Sequence, residues 1–206
     1  MSCNSIRALL LMLACLLLAA CGGVPSRQGA EPAPGVAAPP REARAEFERA
    51  LDMMQEKQYA EAVPTLEAMT QRYPGLAGPY LNLGIARMRL GQFDEAEAAV
   101  RRALEINPEN AMAYNLLGLI HREVGRFQEA REDYERALKS DPLFADVHLN
   151  IAVLLDLYLG QPRIALQHYE RYQEISGGED KQVKLWIADL KQRLPAAAPA
   201  GEGGGS

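Results

Sequence analysis

The sequence predicts an all-α fold, a linear solenoid of about four helix–turn–helix units with a C-terminal helix capping the last. Three observations lead there. Between residues 43 and 178 the 206-residue chain matches itself at a period of 34, and a fixed period of about 20–50 residues marks a stacked array. Gly and Pro recur at fixed places in that period, where they stop helices and turn the chain. Between them, small and apolar residues recur at helical spacing.

The elements follow in chain order. Arg7 precedes an uninterrupted apolar run, Ala8 to Ala20. Thirteen helical residues would span about 20 Å, short of the ~30 Å hydrocarbon core. A basic start, a Leu-rich middle and small residues at the end read as a secretory signal peptide over residues 1–20. The run closes on Leu18-Ala19-Ala20-Cys21, which resembles the lipobox of bacterial lipoproteins. That resemblance implies cleavage before Cys21, a diacylglyceryl group on its thiol and a membrane anchor that does not span the bilayer. Gly22, in place of the Asp that retains such proteins at the inner membrane, implies the outer membrane. Residues 21–42 are expected to be a lipid-anchored flexible linker. Thirteen of the nineteen residues from Gly22 to Pro40 are Gly, Pro or Ala, offering no face to bury.

The repeats are expected at 43–76, 77–110, 111–144 and 145–178. In the second, Tyr80, Leu83, Gly84, Gly91, Phe93, Ala96, Ala103 and Pro108 fall at offsets 4, 7, 8, 15, 17, 20, 27 and 32. The third repeats this with Tyr114, Leu117, Gly118, Gly125, Phe127, Ala130, Ala137 and Pro142. The pattern resembles the tetratricopeptide repeat, which implies two antiparallel helices per unit, here named A and B. Small residues at offsets 8, 20 and 27 let the helix axes approach. Gly91 and Gly125 supply turn conformations that other residues resist. In the first unit Glu46 and Arg49 replace the aromatic and Leu, as suits an end that meets water. Its Pro64 is placed near the start of the B helix, where a missing N–H matters less. In the fourth unit His148, Ile151 and Ala152 hold the first offsets. One extra residue around Leu159-Gly160 then shifts Ala165, Tyr169 and Tyr172, which predicts a longer turn.

Residues 179–194 carry Val183, Trp186, Ile187, Leu190 and Leu194 at helical spacing. They are read as a capping helix with Trp186 as a core anchor. Residues 195–206 (PAAAPAGEGGGS) are expected to be a disordered tail.

Composition excludes several functions. With 22 Lys and Arg against 27 Asp and Glu, a net charge of −5 and no basic cluster, nucleic acid is not an expected partner. All three cysteines, Cys3, Cys15 and Cys21, lie at the N-terminus, so the body has no disulfide framework or Cys-based metal site. No Ser-His-Asp order, HExxH, P-loop or dinucleotide glycine pattern appears. His121 and His148 sit at offsets usually filled by packing aromatics. Glu95, Glu97, Glu129, Glu132 and Asp133 read as solvated helix surface. Catalytic residues, metals, cofactors and a small-molecule substrate are not expected.

The resemblance instead implies protein partners, held in a concave groove lined by the A helices. Carried over by offset, its residues are Phe47, Leu51, Leu81, Asn82, Ile85, Arg89, Asn115, Leu119, Arg122, Asn150, Val153 and Asp156. Asn82 and Asn150 share offset 6, where such proteins can carry a ladder of asparagines gripping peptide backbone. Asn115, at offset 5, interrupts it. Local hydrogen bonding of these asparagines is an equally weighted alternative. The layout is similar to type IV pilus assembly lipoproteins. That implies a periplasmic scaffold for an envelope machine (pilus, secretion, TonB-like or motility). An adaptor recruiting cell-wall hydrolases or proteases is the alternative.

Overall fold

The structure, a computed structural model, describes residues 40–194. The signal sequence, Cys21 and the C-terminal tail lie outside the described residues. Those described form helices α1 (Arg41–Gln55), α2 (Tyr59–Arg72), α3 (Ala77–Arg89), α4 (Phe93–Ile106), α5 (Ala111–Glu123), α6 (Phe127–Ser140), α7 (Ala145–Leu157), α8 (Pro162–Ile175) and α9 (Lys181–Arg193). Each odd helix from α1 to α7 is the A helix of a pair, its successor the B helix, and α9 the closing helix. The first helix begins at Arg41, directly after Pro40, so the linker expected to run to residue 42 ends earlier.

Turn chemistry explains the A–B corners. Helix α3 ends with Gly91 at φ 76° and α5 with Gly125 at φ 78°, both left-handed. In each corner an N–H reaches back five residues, Gln92 N to the Arg87 carbonyl at 2.9 Å and Arg126 N to the His121 carbonyl at 2.8 Å. This is the Schellman closure, which satisfies a carbonyl that a helix end leaves open. The first unit makes the same turn with Lys57, at φ 61°. The fourth turn is one residue longer, with Gly160 left-handed and Gln161 N donating six residues back to the Leu155 carbonyl at 2.8 Å.

Close packing follows from the small residues. A Cβ built on Gly84 would lie 2.4 Å from Val100 Cγ2, and one on Gly118 2.4 Å from Tyr134 Cε1. Burial is spread along the array in three clusters. One joins Ala50, Leu66, Leu83 and Ala86, the next Val100, Leu116, Leu117 and Ile120. The last joins Tyr134, Ile151, Leu155, Tyr169, Val183 and Leu190. Among the described residues none near one end packs on the other, which is the linear arrangement a repeat sequence dictates.

Two readings need correction. Pro64 is the sixth residue of α2, past the first turn, so it removes the N–H that would bond the Ala60 carbonyl. Trp186 is 36% exposed, its ring beside Tyr169 at a centroid distance of 5.5 Å. Val183 and Leu190, seven residues apart and each 1% exposed, anchor α9 instead. Asp180 caps this helix by accepting from Gln182 N and Val183 N.

Candidate binding face of the A helices

Curvature follows from which helices touch. Each A helix contacts the next A helix (α1 with α3, α3 with α5, α5 with α7), while neighbouring B helices do not contact one another. The A side is therefore the shorter arc and the concave one.

The expected groove residues divide on this face. Leu81 is 7% exposed and belongs to the core, in the same buried cluster as Leu116. Phe47 packs its ring over Gly78 of α3, 3.1 Å from where a Cβ would stand. Asn150 Nδ2 donates to Asn115 Oδ1 at 2.9 Å, across from α7 to α5. Leu81/Leu116 and Asn115/Asn150 share one spacing, 35 residues, so offsets 5 and 6 form the seam between successive A helices. Asn82 donates to its own helix, to the Gly78 carbonyl at 3.0 Å. The local alternative for the asparagines is what the geometry shows. Asn150 and Asn82 thus each spend one amide N–H on a local bond, and Asn115 Oδ1 accepts one of them. Asp156 is also engaged, 3.7 Å from Arg193 of α9 and only 12% exposed in its side chain.

Leu51, Ile85, Leu119 and Val153 remain half-buried. Arg89 is exposed and Arg122 half-buried. Arg89, Leu119 and Arg122 come together with Met88, Phe93 and Glu123 around a cleft of about 370 Å³ between α3 and α5.

A second arrangement was only partly legible in the sequence. His121 is 2% exposed, with Nδ1 2.6 Å from Asp133 Oδ2 and Nε2 3.3 Å from Glu97 Oε1. Glu97 also pairs with Arg101 at 2.6 Å and with Arg126. Burial pushes the Glu97 carboxyl up, but hydrogen bonds from Arg126, Arg101 and His121 outweigh it and hold it at about 2. Asp133, 4% exposed, is raised, chiefly by burial, against the opposing pull of His121. These two carboxylates are therefore not solvated surface, as their helical spacing had suggested. They tie α4, α5 and α6 together across a repeat junction. The signal was present at Asp133, which takes the offset held by buried Ala99 one repeat earlier. His148 is also buried and hydrogen-bonded. Its Nε2 lies 3.1 Å from the Pro142 carbonyl, and so carries the proton, and Nδ1 lies 3.0 Å from His168 Nδ1. In a neutral His148 ring, Nδ1 then accepts from His168 Nδ1–H. Among the described residues no set of three or more His, Cys, Asp or Glu is placed to hold a metal ion.

Comparison with known proteins agrees with this architecture. Residues 81–143 and 121–157 match the tetratricopeptide repeat family model. PilF of Pseudomonas aeruginosa is 25% identical, with a TM-score of 0.66 over 74% of this chain and 70% of that one. A thermophilic tetratricopeptide repeat protein of Thermus thermophilus is 20% identical, with a TM-score of 0.64 over 74% and 83%. MamA of Desulfovibrio magneticus RS-1 is 16% identical, with a TM-score of 0.65 over 76% and 87%. No curated protein matches the chain in sequence. With the 34-residue period, the paired helices and the left-handed corners, these matches give the chain the fold of a tetratricopeptide repeat solenoid, with residues 81–157 matching the family model itself.

Proposed function

We propose that this protein is a lipid-anchored scaffold of the bacterial outer membrane that binds peptide segments of partner proteins on its A-helix face. In this reading it helps assemble or stabilise an envelope machine. The continuous concave face, with a cleft between α3 and α5, is the observation that carries the binding part. An open face between stacked A helices can take an extended or helical segment, the helix-in-groove mode among others. The lipobox resemblance at Leu18–Cys21 supports the anchor. Likeness to PilF, a pilus assembly protein, favours a pilus among such machines.

Two measurements test it. Cys21→Ser should release the protein from the outer-membrane fraction, and retention there would remove the anchor. Ile85→Ser with Leu119→Ser should weaken capture of a crosslinked native partner from envelopes while the helical circular dichroism signal persists. Undiminished capture by a folded variant would refute the face as the binding surface.

A further inference from the structure

The cleft between α3 and α5 has a chemistry of its own. Its floor and walls include Met88, Phe93 and Leu119, all half-buried, and its charges are Arg89, Arg122 and Glu123. Most guanidiniums on the B helices are matched by a carboxylate, such as Arg101 by Glu97, Arg131 by Glu135 and Arg171 by Glu174. Arg89 differs, having no ion-pair or hydrogen-bond partner among the described residues. Arg122 reaches only its chain neighbour Glu123, at 3.1 Å, whose side chain is 50% exposed. The lining thus carries two cations and one anion in a chain of net charge −5. Leu90 and Val124, which follow Arg89 and Glu123 in the chain, are 41% and 39% exposed. Both occupy offset 14, one repeat apart.

We propose that this cleft is a subsite for an acidic residue of a partner protein followed by a bulky apolar residue. The carboxylate lies between Arg89 and Arg122, and the apolar side chain on Met88, Phe93 and Leu119. This rests on the reading of the A-helix face as a peptide-binding surface. Two guanidiniums suit a carboxylate because their planar N–H forks match its oxygens. The thioether of Met88 adapts to differing apolar shapes. A cleft of about 370 Å³ is at the small end of ligand sites, sized for a pair of side chains and too small for a folded element.

The test is a peptide array probed with the full chain in detergent, each peptide having Glu-Phe, Gln-Phe, Glu-Ser or Lys-Phe at the centre of random flanks. Glu-Phe should bind about tenfold more tightly than Gln-Phe or Glu-Ser, a difference of about 1.4 kcal/mol. That margin should shrink in high salt. Arg89→Glu, an exposed substitution that leaves the helices intact, should abolish the preference and shift it toward Lys-Phe. Equal binding of Glu-Phe and Gln-Phe, or an unchanged preference in Arg89→Glu, overturns the proposal. If Ile85→Ser with Leu119→Ser still impairs capture of the native partner in that event, the binding face stands and only the acidic subsite falls. If neither change alters capture, both fall. Concentration-dependent dimerisation that Arg89→Glu abolishes would assign the cleft to a second copy and also overturn it.

Discussion

Gly118→Ala is the sharpest probe of how the helix pairs are built. Gly118 lies on α5 where α6 crosses it, and an added Cβ would stand 2.4, 2.5 and 2.9 Å from Cε1, Cδ1 and Cζ of Tyr134. Ordinary carbon contacts are about 3.5–4.0 Å, so the ring must move by about 1 Å. Tyr134 is fully buried and has nowhere to go. Overpacking of this kind costs about 1–3 kcal/mol. Replacing a mid-helix glycine with alanine returns about 1 kcal/mol through helix propensity. With Tyr134 enclosed at 0% exposure the upper part of that range applies, about 2–3 kcal/mol, so the net expectation is a loss of about 1–2 kcal/mol, or about 3–6 °C in Tm for an array of this size. Urea unfolding followed by far-UV circular dichroism measures it. The double variant Gly118→Ala/Tyr134→Leu should recover most of the loss, since the first pair sets Ala50 and Leu66 at the same two offsets. In the fourth pair, where the turn is one residue longer, Ala152 and Tyr169 occupy them together. A Gly118→Ala protein as stable as the parent would refute the claim that the ring contact fixes glycine there. A loss that Tyr134→Leu fails to relieve would refute it equally.

Three other outcomes are expected. Lys57→Gly should raise stability by about 0.5–1 kcal/mol, because Lys57 holds the left-handed corner that glycine fills at Gly91 and Gly125; a fall in the urea midpoint would contradict this. Asp133→Ala should cost about 2–4 kcal/mol, since it strips Nδ1 of buried His121 of its partner and leaves a cavity; thermal melting decides, and a loss below about 0.5 kcal/mol would show the network to be idle. Burial, reinforced by His148 and Arg131, holds the His168 imidazole down at about 4. A lowered histidine value means that the unfolded chain takes up the proton first, so stability is full above pH 6.5 and falls as pH drops from 6.5 toward 4. The partly exposed ring should contribute about 1–2 kcal/mol to that fall, and His168→Phe should flatten the pH 4–6.5 stability profile measured by urea titration.

Much of the fold was legible because repetition multiplies weak signals. One Gly is an ambiguous stop, but Gly91 and Gly125 at the same offset, with Pro108 and Pro142 behind them, set the helix boundaries closely. The extra residue near Gly160 was likewise legible, and it lengthens the fourth turn. Side-chain roles were less so. Offset alone put Leu81 on the groove, but burial depends on the neighbouring repeat, and Leu116 closes over that seam. The Asn115–Asn150 bond, too, spans two helices that no single repeat contains. Glu97 looks like an exposed carboxylate along a helix, and only the packing of α4, α5 and α6 around His121 shows otherwise, whereas Asp133 shares its offset with Ala99.

The sequence by itself determined the period, the helix pairs, the corner glycines and the tight crossings at Gly84 and Gly118, since all of these are set within one repeat or by backbone conformation. Tertiary structure decided what lies between repeats: which A-helix residues become seam and which remain surface, where charges are neutralised, and that Arg89 and Arg122 face one cleft. The physical reason is range. Helix propensity, caps and turns act over a few residues, whereas burial and ion pairing depend on distances between side chains some 20 to 35 positions apart, which a repeat pattern suggests and only packing fixes.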